Sequence, residues 1–264
     1  MKYKDLLLNK RGGVATIIFN RPDRLNALGD QTTLQLCAAC EEAIKDPKIR
    51  VLVLTGAGDA FCAGGDYKDT FQSGFEKTAL DWRHRIRTGP NRLVALLTGS
   101  EKPVIASVNG VAVGGGSTIA LACDIRIASE KARFGLVFSK IGVTPEFGCT
   151  YLLPRIVGLA KALDLLLNAD LIDAREAERI GLVSKVVPHE ELQEATRQQV
   201  EKLLQKPRAA LGLMKSMIYR SLSMDMLSVL ELEAFAISIA FKTEEHQEAV
   251  RAFLRKRKSA KPKA

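Results

Sequence analysis

The chain has 264 residues, of which 47% are hydrophobic and 26% charged, and its formal net charge is +9. These values are typical of a globular protein with one large core, or one domain with an appendage. No run approaches the roughly 18–20 apolar residues of a membrane span, and the first residues lack the apolar segment of a signal peptide. We therefore expect a cytoplasmic protein with no membrane partner.

The excess of basic charge is concentrated at the end of the chain. Residues 255–264 contain six basic side chains and no acid, and removing those six charges from +9 leaves +3. A nucleic-acid interface needs a basic face supported by a motif or by aromatic side chains. We therefore expect a solvated tail and no nucleic-acid binding. RNA binding by the tail, or support for an anionic phosphate ligand, are the alternatives.

The five cysteines do not form a pattern typical of disulfides or of a zinc site. Cys37 and Cys40 have C-x-x-C spacing, but they fall inside a predicted amphipathic helix over 32–44. No second pair completes a tetrahedral metal site, and no thioredoxin-like context surrounds the first. We expect reduced thiols that pack in the core.

Strand-like and helix-like segments alternate over the first half of the chain. An apolar run predicts a buried strand over 14–19, which ends in a turn cluster over 20–23. The predicted elements that follow are a helix to about residue 45, a strand over 51–55, a polar stretch over 68–77, a helix over 78–97 broken at Gly89-Pro90, a strand over 104–108, a helix over 117–122 and a strand over 125–128. This alternation predicts a layered α/β core.

The second half is predicted to be mostly helical. The predicted helices cover 159–168, 174–180, 190–205, 207–219, 225–240 and 243–255, and one possible strand covers 182–187. The segment 225–241 is strongly apolar, and such a helix needs a partner. We therefore expect the carboxyl-terminal region to form an oligomer.

Two glycine-rich turns each follow an apolar strand. The first covers residues 61–66 (FCAGGD) and the second covers 114–116 (GGG). Glycine lets backbone N–H groups approach a ligand closely, so two such turns suggest a preformed hole for a developing negative oxygen. A hole cannot move a proton, and the acid Glu146, in the segment 144–148 (TPEFG), is the candidate for that role.

Several motifs in order resemble the crotonase superfamily, and the resemblance covers nearly the whole chain. The motifs are 20–22 (NRP) with 26–28 (NAL), 61–66 (FCAGGD), 109–116 (NGVAVGGG), 121–128 (LACDIRIA), 133–135 (RFG) and 174–183 (AREAERIGLV). The resemblance implies an α/β fold, a crotonase-like spiral of ββα units with a C-terminal helical oligomerisation region. We place the spiral core at residues 1–195 and the helical region with its basic tail at 196–264.

The resemblance also implies a coenzyme A thioester as substrate, with no separate cofactor and no metal. It implies a homotrimer or a hexamer built as a dimer of trimers. The two N–H donors of the family's oxyanion hole fall on Gly65 and Gly115. Gly115 opens a predicted helix, where free N–H groups and the helix dipole both favour negative charge.

Departures from the family pattern bear on the reaction. The family's hydratases carry glutamates two residues after the glycine triplet and four after the phenylalanine of a Phe-Gly pair. Here those pocket positions are Thr118 and Phe138, neither of which is a carboxylate base. The segment around Glu146 resembles the single-acid Δ3,Δ2-enoyl-CoA isomerases and bacterial ring-enoyl-CoA isomerases. We predict isomerisation by Glu146. The alternatives are a hydratase or other CoA-thioester lyase or hydrolase, a non-catalytic acyl-CoA scaffold, and a Glu146 that only caps the next helix.

Other residues match family positions that contact coenzyme A. The resemblance places the basic side chains of Arg24 and Lys68 near the phosphates, and the backbone of Cys62 and Ala63 near the adenine. Phe253 and Lys256 stand where some relatives close the coenzyme site from the last helix. Each charge is also consistent with an ordinary solvated surface. We interpret Asp66 as a carboxylate that structures its turn and not as an acid catalyst.

Overall fold

The computed structural model describes residues 3–29 and 31–259, with side chains described except at 71, 73, 74 and 256–259. In the first half, the helices and strands are β1 (Leu6–Arg11), β2 (Val14–Phe19), α1 (Thr32–Lys45), β3 (Val51–Gly56), β4 (Ala60–Cys62), α2 (Ala79–Ile86), α3 (Arg92–Gly99), β5 (Val104–Val108), β6 (Val111–Val113), α4 (Gly115–Leu121), β7 (Ile125–Ser129) and β8 (Arg133–Gly135). In the second half they are α5 (Cys149–Val157), α6 (Leu159–Asn168), β9 (Leu171–Asp173), α7 (Ala174–Arg179), β10 (Lys185–Val187), α8 (Leu192–Leu204), α9 (Arg208–Ser221), α10 (Met226–Ala240) and α11 (Glu244–Ser259).

Two sheets organise the core. The larger has the strand order β1-β2-β3-β5-β7-β10 and is parallel except between β1 and β2. The smaller has the order β4-β6-β8-β9 and is antiparallel only between β8 and β9. Three times, a long strand of the first sheet leads directly to a short strand of the second and then to a helical segment. This repeated ββα unit confirms the predicted α/β spiral.

The larger sheet is buried on both faces, as its continuous apolar runs indicate. Leu52 and Leu54 of β3 join the main core cluster, which includes residues of α1, α3 and α4. The alternate residues, Val51 and Val53, join a second cluster with Ile105 and with residues of α8. Parallel strands covered on both faces are apolar at every position, because side chains alternate between the faces.

The helix predicted after residue 23 begins only at Thr32. Leu25 and Asn26 adopt left-handed backbone conformations, with φ of 48° and 57°, which a right-handed helix cannot include. The Asn26 side chain stabilises this turn by donating hydrogen bonds to the carbonyl oxygens of Ala57 (2.9 Å) and Ala60 (2.7 Å). The detour carries the chain past the first glycine turn before α1 starts.

The predicted break at Gly89-Pro90 is confirmed. Residues Arg87–Asn91 form a π-helical turn between α2 and α3, because proline lacks the N–H that a continuous helix needs. The polar stretch before α2 also has structure, a π-helical turn over Tyr67–Gln72 followed by a 3-10 turn over Ser73–Glu76. The helices predicted in the second half are observed within a few residues of their expected ends.

The predicted domain boundary at residue 195 falls inside α8, in its first turn. This helix packs on the larger sheet through Leu192, Ala195 and Val200, so the sheet core extends through α8. The next helix, α9, is anchored by the buried Lys215, whose Nζ lies 2.7 Å from the Asp124 carboxylate. No helix among the described residues is long and apolar enough to cross a membrane.

All five cysteines are buried as free thiols. Cys37 and Cys40 lie on the core side of α1 with essentially no exposed surface. Burial raises the pKa of Cys37 to about 11, which keeps the thiol protonated and unreactive at neutral pH. The geometry therefore agrees with a packing role for the C-x-x-C pair.

Candidate active site

The two glycine turns lie side by side because the strands before them are paired. β4 runs parallel to β6, with Cys62 opposite Ala112, so the chain leaves both strands at one edge of the small sheet. A Cβ on Gly64 would stand 2.6 Å from the Val113 carbonyl oxygen, and one on Gly116 would stand 1.9 Å from that of Cys62. Side chains at either glycine would push the turns apart.

Each turn presents one backbone N–H group. Leu28 bridges the first turn, since its N–H donates to the Gly64 oxygen (2.7 Å) and its oxygen accepts from the Asp66 N–H (3.0 Å). Alternation along an extended segment turns the Gly65 N–H away from Leu28. Gly115 is the first residue of α4, where N–H groups lack an intrahelical acceptor. Neither N–H group donates to another residue in the part of the chain that the structure describes.

Glu146 stands against the second of these turns. Its Oε1 lies 3.7 Å from the point that a Cβ on Gly115 would occupy, and the Leu28 Cδ1 and Phe147 Cε2 lie 3.0 and 3.1 Å from the same point. Gly115 is therefore surrounded by one carboxyl group and two apolar side chains. Phe147 is fully buried and has φ of 52°, a strained conformation of the kind found at functional sites.

The helix-capping alternative for Glu146 does not fit the structure. The N-cap of α5 is Gly148, and no side chain caps this helix. The Glu146 carbonyl accepts a hydrogen bond from the Cys149 N–H (3.2 Å), but among the described residues its carboxylate has no hydrogen-bond partner. The side chain is thus directed to the glycine turns instead of the helix end.

Burial raises the pKa of the Glu146 carboxyl, and the positive charge of Arg85 opposes this shift. Arg85 lies on α2, donates a hydrogen bond to the Thr70 Oγ1 (3.2 Å) and stands over the Trp82 ring. The sequence predicted a helix over 78–97 but no role for its arginines, so this electrostatic partner of the acid was not predicted. The capping box of Thr78 and Asp81, which fixes the start of α2, is the signal that helps to place it.

Thr118 and Phe138 both lie in the interior. Thr118 is fully buried on α4, and its hydroxyl donates to the carbonyl oxygens of Gly115 (3.0 Å) and Gly114 (3.3 Å). Phe138 lies in a 3-10 turn and packs in the main core cluster. Neither position supplies a titratable group to the site.

The residues expected at the coenzyme are arranged around the first turn. Arg24 is half-exposed and its Nη1 lies 3.1 Å from the Asp66 carboxylate, while the Lys68 side chain is exposed. Cys62 directs its thiol into the core, where burial raises its pKa to about 12. The Ala63 N–H already donates to the Leu25 oxygen (3.0 Å).

The two other residues predicted at the coenzyme lie on the last helix. Phe253 is 64% exposed on α11. Lys256 lies on the same helix, but its side chain is outside the described residues. Near its start, α11 is tied to α9, where the Glu245 carboxylate accepts a hydrogen bond from the Ala209 N–H (2.9 Å).

A cavity of about 640 Å³ at the amino-terminal ends of β3 and β5 shares no lining residue with the glycine turns. Its basic side chains donate hydrogen bonds to backbone carbonyl oxygens: Arg50 to that of Leu204, Lys102 to that of Asp46 and Arg208 to that of Pro47. These carbonyls lie at or near the ends of α8 and α1, where basic side chains commonly stabilise a helix. The glycine turns, where Gly115 lies beside the Glu146 carboxyl, are the better candidate site.

The family model for enoyl-CoA hydratase/isomerase matches residues 9–261. The chain belongs to this family. It is an acyl-CoA enzyme with the crotonase fold, as the paired glycine turns indicate. The hypothesis of a family fold drawn from the sequence motifs is confirmed.

Relatives of similar identity have different activities in their names. The chain is 39% identical to the crotonyl-CoA hydratase of Syntrophomonas wolfei, covering 98% of both chains. It is 38% identical to the 1,2-epoxyphenylacetyl-CoA isomerase of Escherichia coli K12, covering 96% of both. The solved enoyl-CoA hydratase/isomerase of Cupriavidus metallidurans superposes with a TM-score of 0.91 at 34% identity, over 97% of this chain and 95% of that one.

Proposed function

We propose that this enzyme moves the double bond of a 3-enoyl-CoA to the 2-position, with Glu146 as the single acid and base. The observation that carries the proposal is the desolvated Glu146 carboxyl beside Gly115, combined with Thr118 and Phe138 at the positions of the two hydratase glutamates. One carboxylate suffices for a 1,3-proton shift, whereas the hydratases of the family use two.

In the proposed reaction, the thioester oxygen accepts hydrogen bonds from the N–H groups of Gly65 and Gly115. Glu146 removes a proton from C2, the negative charge spreads over the dienolate, and the hole stabilises its oxygen. The protonated Glu146 then returns the proton at C4, so that the C3–C4 double bond becomes C2–C3 with no net change in atoms. One donor of such a hole typically contributes about 3–4 kcal/mol to the transition state.

The environment of Glu146 suits this role. A carboxylate with a raised pKa is a stronger base toward the C2 proton, which is weakly acidic even when the thioester is polarised. Apolar neighbours such as Phe147 raise the pKa by desolvation, while the positive charge of Arg85 limits the rise. A poorly solvated carboxylate matches the proposed step.

We further propose that the active form is a homotrimer, or a hexamer of two trimers, assembled through the region 196–264. α10 exposes many large apolar side chains in the single chain, namely Met226, Leu227, Leu230, Phe235, Ile237 and Ile239. A surface of this kind requires a partner in water. Assembly would allow α11 of one copy to bring Phe253 and Lys256 to the coenzyme of a neighbour, opposite Arg24 and Lys68.

Three further expectations stay predictions. Coenzyme A enters as part of the substrate, which makes a separate cofactor unnecessary in the proposed reaction. A cytoplasmic location and the lack of nucleic-acid binding are expected from the composition of the sequence.

Parallel assays of the wild type and Glu146→Gln test the proposal. The two substrates are a 3-enoyl-CoA, for isomerisation, and crotonyl-CoA, for hydration. We expect isomerisation by the wild type and a loss of about 10³-fold in Glu146→Gln, the scale of a positioned acid–base group, with unchanged CoA-ester binding. Glu176→Gln, at a half-buried glutamate on α7 that pairs with Arg179, is the matched control and should retain full activity.

Three outcomes would contradict the proposal. Full isomerase activity of Glu146→Gln would show that Glu146 is not the acid and base of the reaction. Crotonyl-CoA hydration as the dominant wild-type activity would favour the hydratase, the activity in the name of the Syntrophomonas relative. Binding of acyl-CoA without either reaction would favour a scaffold.

A further inference from the structure

Asp66, next to the proposed donor Gly65, has a buried and fully engaged carboxylate. Its side chain accepts hydrogen bonds from the Arg21 Nη2 (2.9 Å) and the Arg24 Nη1 (3.1 Å). It also accepts from the backbone N–H groups of Lys68 (3.0 Å) and Asp69 (3.3 Å). Only 3% of the residue is exposed. Burial alone raises the pKa of Asp66, but these hydrogen bonds and the charge of Arg21 outweigh it and lower the pKa.

Arg21 connects this carboxylate to the neighbouring loop. Its Nη1 donates to the Ala27 carbonyl oxygen (2.7 Å), and its backbone N–H donates to the Asn26 Oδ1 (2.9 Å). The same guanidinium therefore holds the residues on either side of the Leu28–Gly65 bridge. The fit is tight, since a Cβ on Gly29 would stand 3.0 Å from the Arg21 Nη1.

We propose that Asp66, held by Arg21, is a positioning residue that fixes the direction of the Gly65 N–H group in the oxyanion hole. Gly65 has no side chain that could anchor its own peptide. Its orientation is determined by the Leu28 bridge on one side and by the Asp66 carboxylate on the other. The proposal rests on the proposed function, because it assumes that the Gly65 N–H receives the thioester oxygen.

The alternative is that Asp66 only holds the loops together. Buried ion pairs are weak evidence for a net gain in stability, and their loss usually destabilises a protein whether or not they serve the reaction. Stability alone therefore does not separate the two roles. A displaced oxyanion donor weakens transition-state binding more than substrate binding, so the ratio of the effects on kcat and KM separates them.

The experiment compares Asp66→Asn and Arg21→Gln with the wild type by kinetics and by ligand spectroscopy. For Asp66→Asn we expect kcat to fall about 30- to 100-fold, as for a misplacement of roughly 1 Å, with KM changed less than about 3-fold. Arg21→Gln leaves Asp66 bonded to Arg24 and two N–H groups, so a fall of about 10-fold is expected. Asp164→Asn, an exposed aspartate on α6 that pairs with Lys161, is the matched control and should match the wild type.

The spectroscopic probe is an enoyl-CoA conjugated to an electron-rich aromatic ring. Its absorption moves to longer wavelength when the carbonyl is polarised, and this shift does not depend on turnover. We expect Asp66→Asn to bind the probe with near-normal affinity but with a smaller shift at saturation. Arg24→Ala should weaken binding and keep the full shift at saturation, because we expect Arg24 at the coenzyme phosphates and because Arg21 still holds Asp66 in this variant.

A full shift together with wild-type kcat in folded Asp66→Asn and Arg21→Gln would overturn the proposal. A loss of affinity with an undiminished shift would also overturn it, since Asp66 would then act only through coenzyme binding. Failure of the proposed isomerase is separable: if Glu146→Gln isomerises normally while Asp66→Asn loses the shift, the positioning role stands and the assignment of the acid falls.

Discussion

Asp66 carries a buried carboxyl group and Glu146 a partly buried one, one beside each glycine turn, in opposite environments. Four groups donate hydrogen bonds to Asp66, two guanidinium groups and two backbone N–H groups, and its pKa is lowered. Among the described residues, Glu146 has no hydrogen-bond partner for its carboxylate, and its pKa is raised. Protein groups thus fully solvate the Asp66 carboxylate, which orders a loop. The Glu146 carboxylate, which we propose moves a proton, is poorly solvated.

The number of acids near a site is therefore a poor guide to its chemistry. A carboxylate with saturated hydrogen bonds is a weak base and a good anchor. A carboxylate that is surrounded by apolar side chains is costly to ionise. This cost raises its pKa and makes it a stronger base. Substitutions of either carboxyl group, of the charge near Glu146, or of the second glycine turn should therefore have different effects.

The largest effect is expected from closing the second glycine turn with a methyl group. In Gly115→Ala, the new Cβ would stand 3.0 Å from the Leu28 Cδ1 and 3.1 Å from the Phe147 Cε2, both closer than ordinary contact. It would also occupy space next to the Glu146 carboxyl. We expect kcat/KM to fall at least about 10²-fold, as for the loss of one oxyanion donor, in steady-state assays with 3-enoyl-CoA.

Gly99→Ala is the control, because a Cβ there meets nothing within 4 Å. Equal activity of the two alanine variants would show that Gly115 is only a turn former and would break the proposed link between its N–H group and the reaction.

The stabilities of Asp66→Asn and Glu146→Gln are expected to change with opposite signs. The folded pKa of Asp66 is lowered, so its stabilisation is present above the unfolded pKa of about 3.9 and is lost as the pH falls through the folded value. Asp66→Asn should lower the free energy of unfolding at pH 7 by about 2–4 kcal/mol. For Glu146 the folded pKa is raised, so its stabilisation exists only below the unfolded pKa of about 4.3 and is lost as the pH rises through the folded value.

Glu146→Gln should therefore be more stable than the wild type at pH 7, by about 1 kcal/mol. Urea unfolding at pH 7 and pH 4 measures both effects: the Glu146 difference should shrink at pH 4, whereas most of the Asp66 difference should remain, because pH 4 still lies above the folded pKa of Asp66. A destabilised Glu146→Gln at pH 7 would mean that the carboxylate has a structural partner, and the contrast with Asp66 would be lost.

The smallest effect is expected from removing the positive charge near Glu146. Arg85 lowers the pKa of this carboxyl against the effect of burial, so Arg85→Gln should raise it further. The ionised carboxylate is the active base, and the acidic limb of the kcat/KM profile should therefore move to higher pH. Arg83→Gln, on the exposed side of the same helix, should leave the limb in place. An unchanged limb in Arg85→Gln would show that another group controls it.

Much of the site could be predicted from sequence because its chemistry lies in the backbone. Glycines directly after apolar strands indicate where N–H groups meet, and the pairing of β4 with β6 confirms that the two turns are neighbours. The position of Glu146 beside Gly115 required the left-handed conformations of Phe147 and Gly148. Nothing in the local sequence predicts a positive φ at a phenylalanine.

Other features depended on tertiary contacts that no local pattern contains. β1 was not predicted, because it is largely exposed and mixes polar with apolar residues. Three-residue strands such as β6 and β8 are too short to show a period. The approach of Arg85 to Glu146 depends on the turns before and after α2, and the engagement of Asp66 by Arg21 depends on the detour at Leu25 and Asn26.

The most direct test of the central claim is proton exchange at C2 of a bound acyl-CoA in deuterated water. A saturated acyl-CoA cannot isomerise or hydrate, so exchange reports only the base and the oxyanion hole. We predict steady deuterium incorporation by the wild type and by Glu176→Gln, and a loss of about 10³-fold in Glu146→Gln with the ligand still bound. Incorporation by Glu146→Gln at the wild-type rate would contradict the account, because another group would then remove the proton.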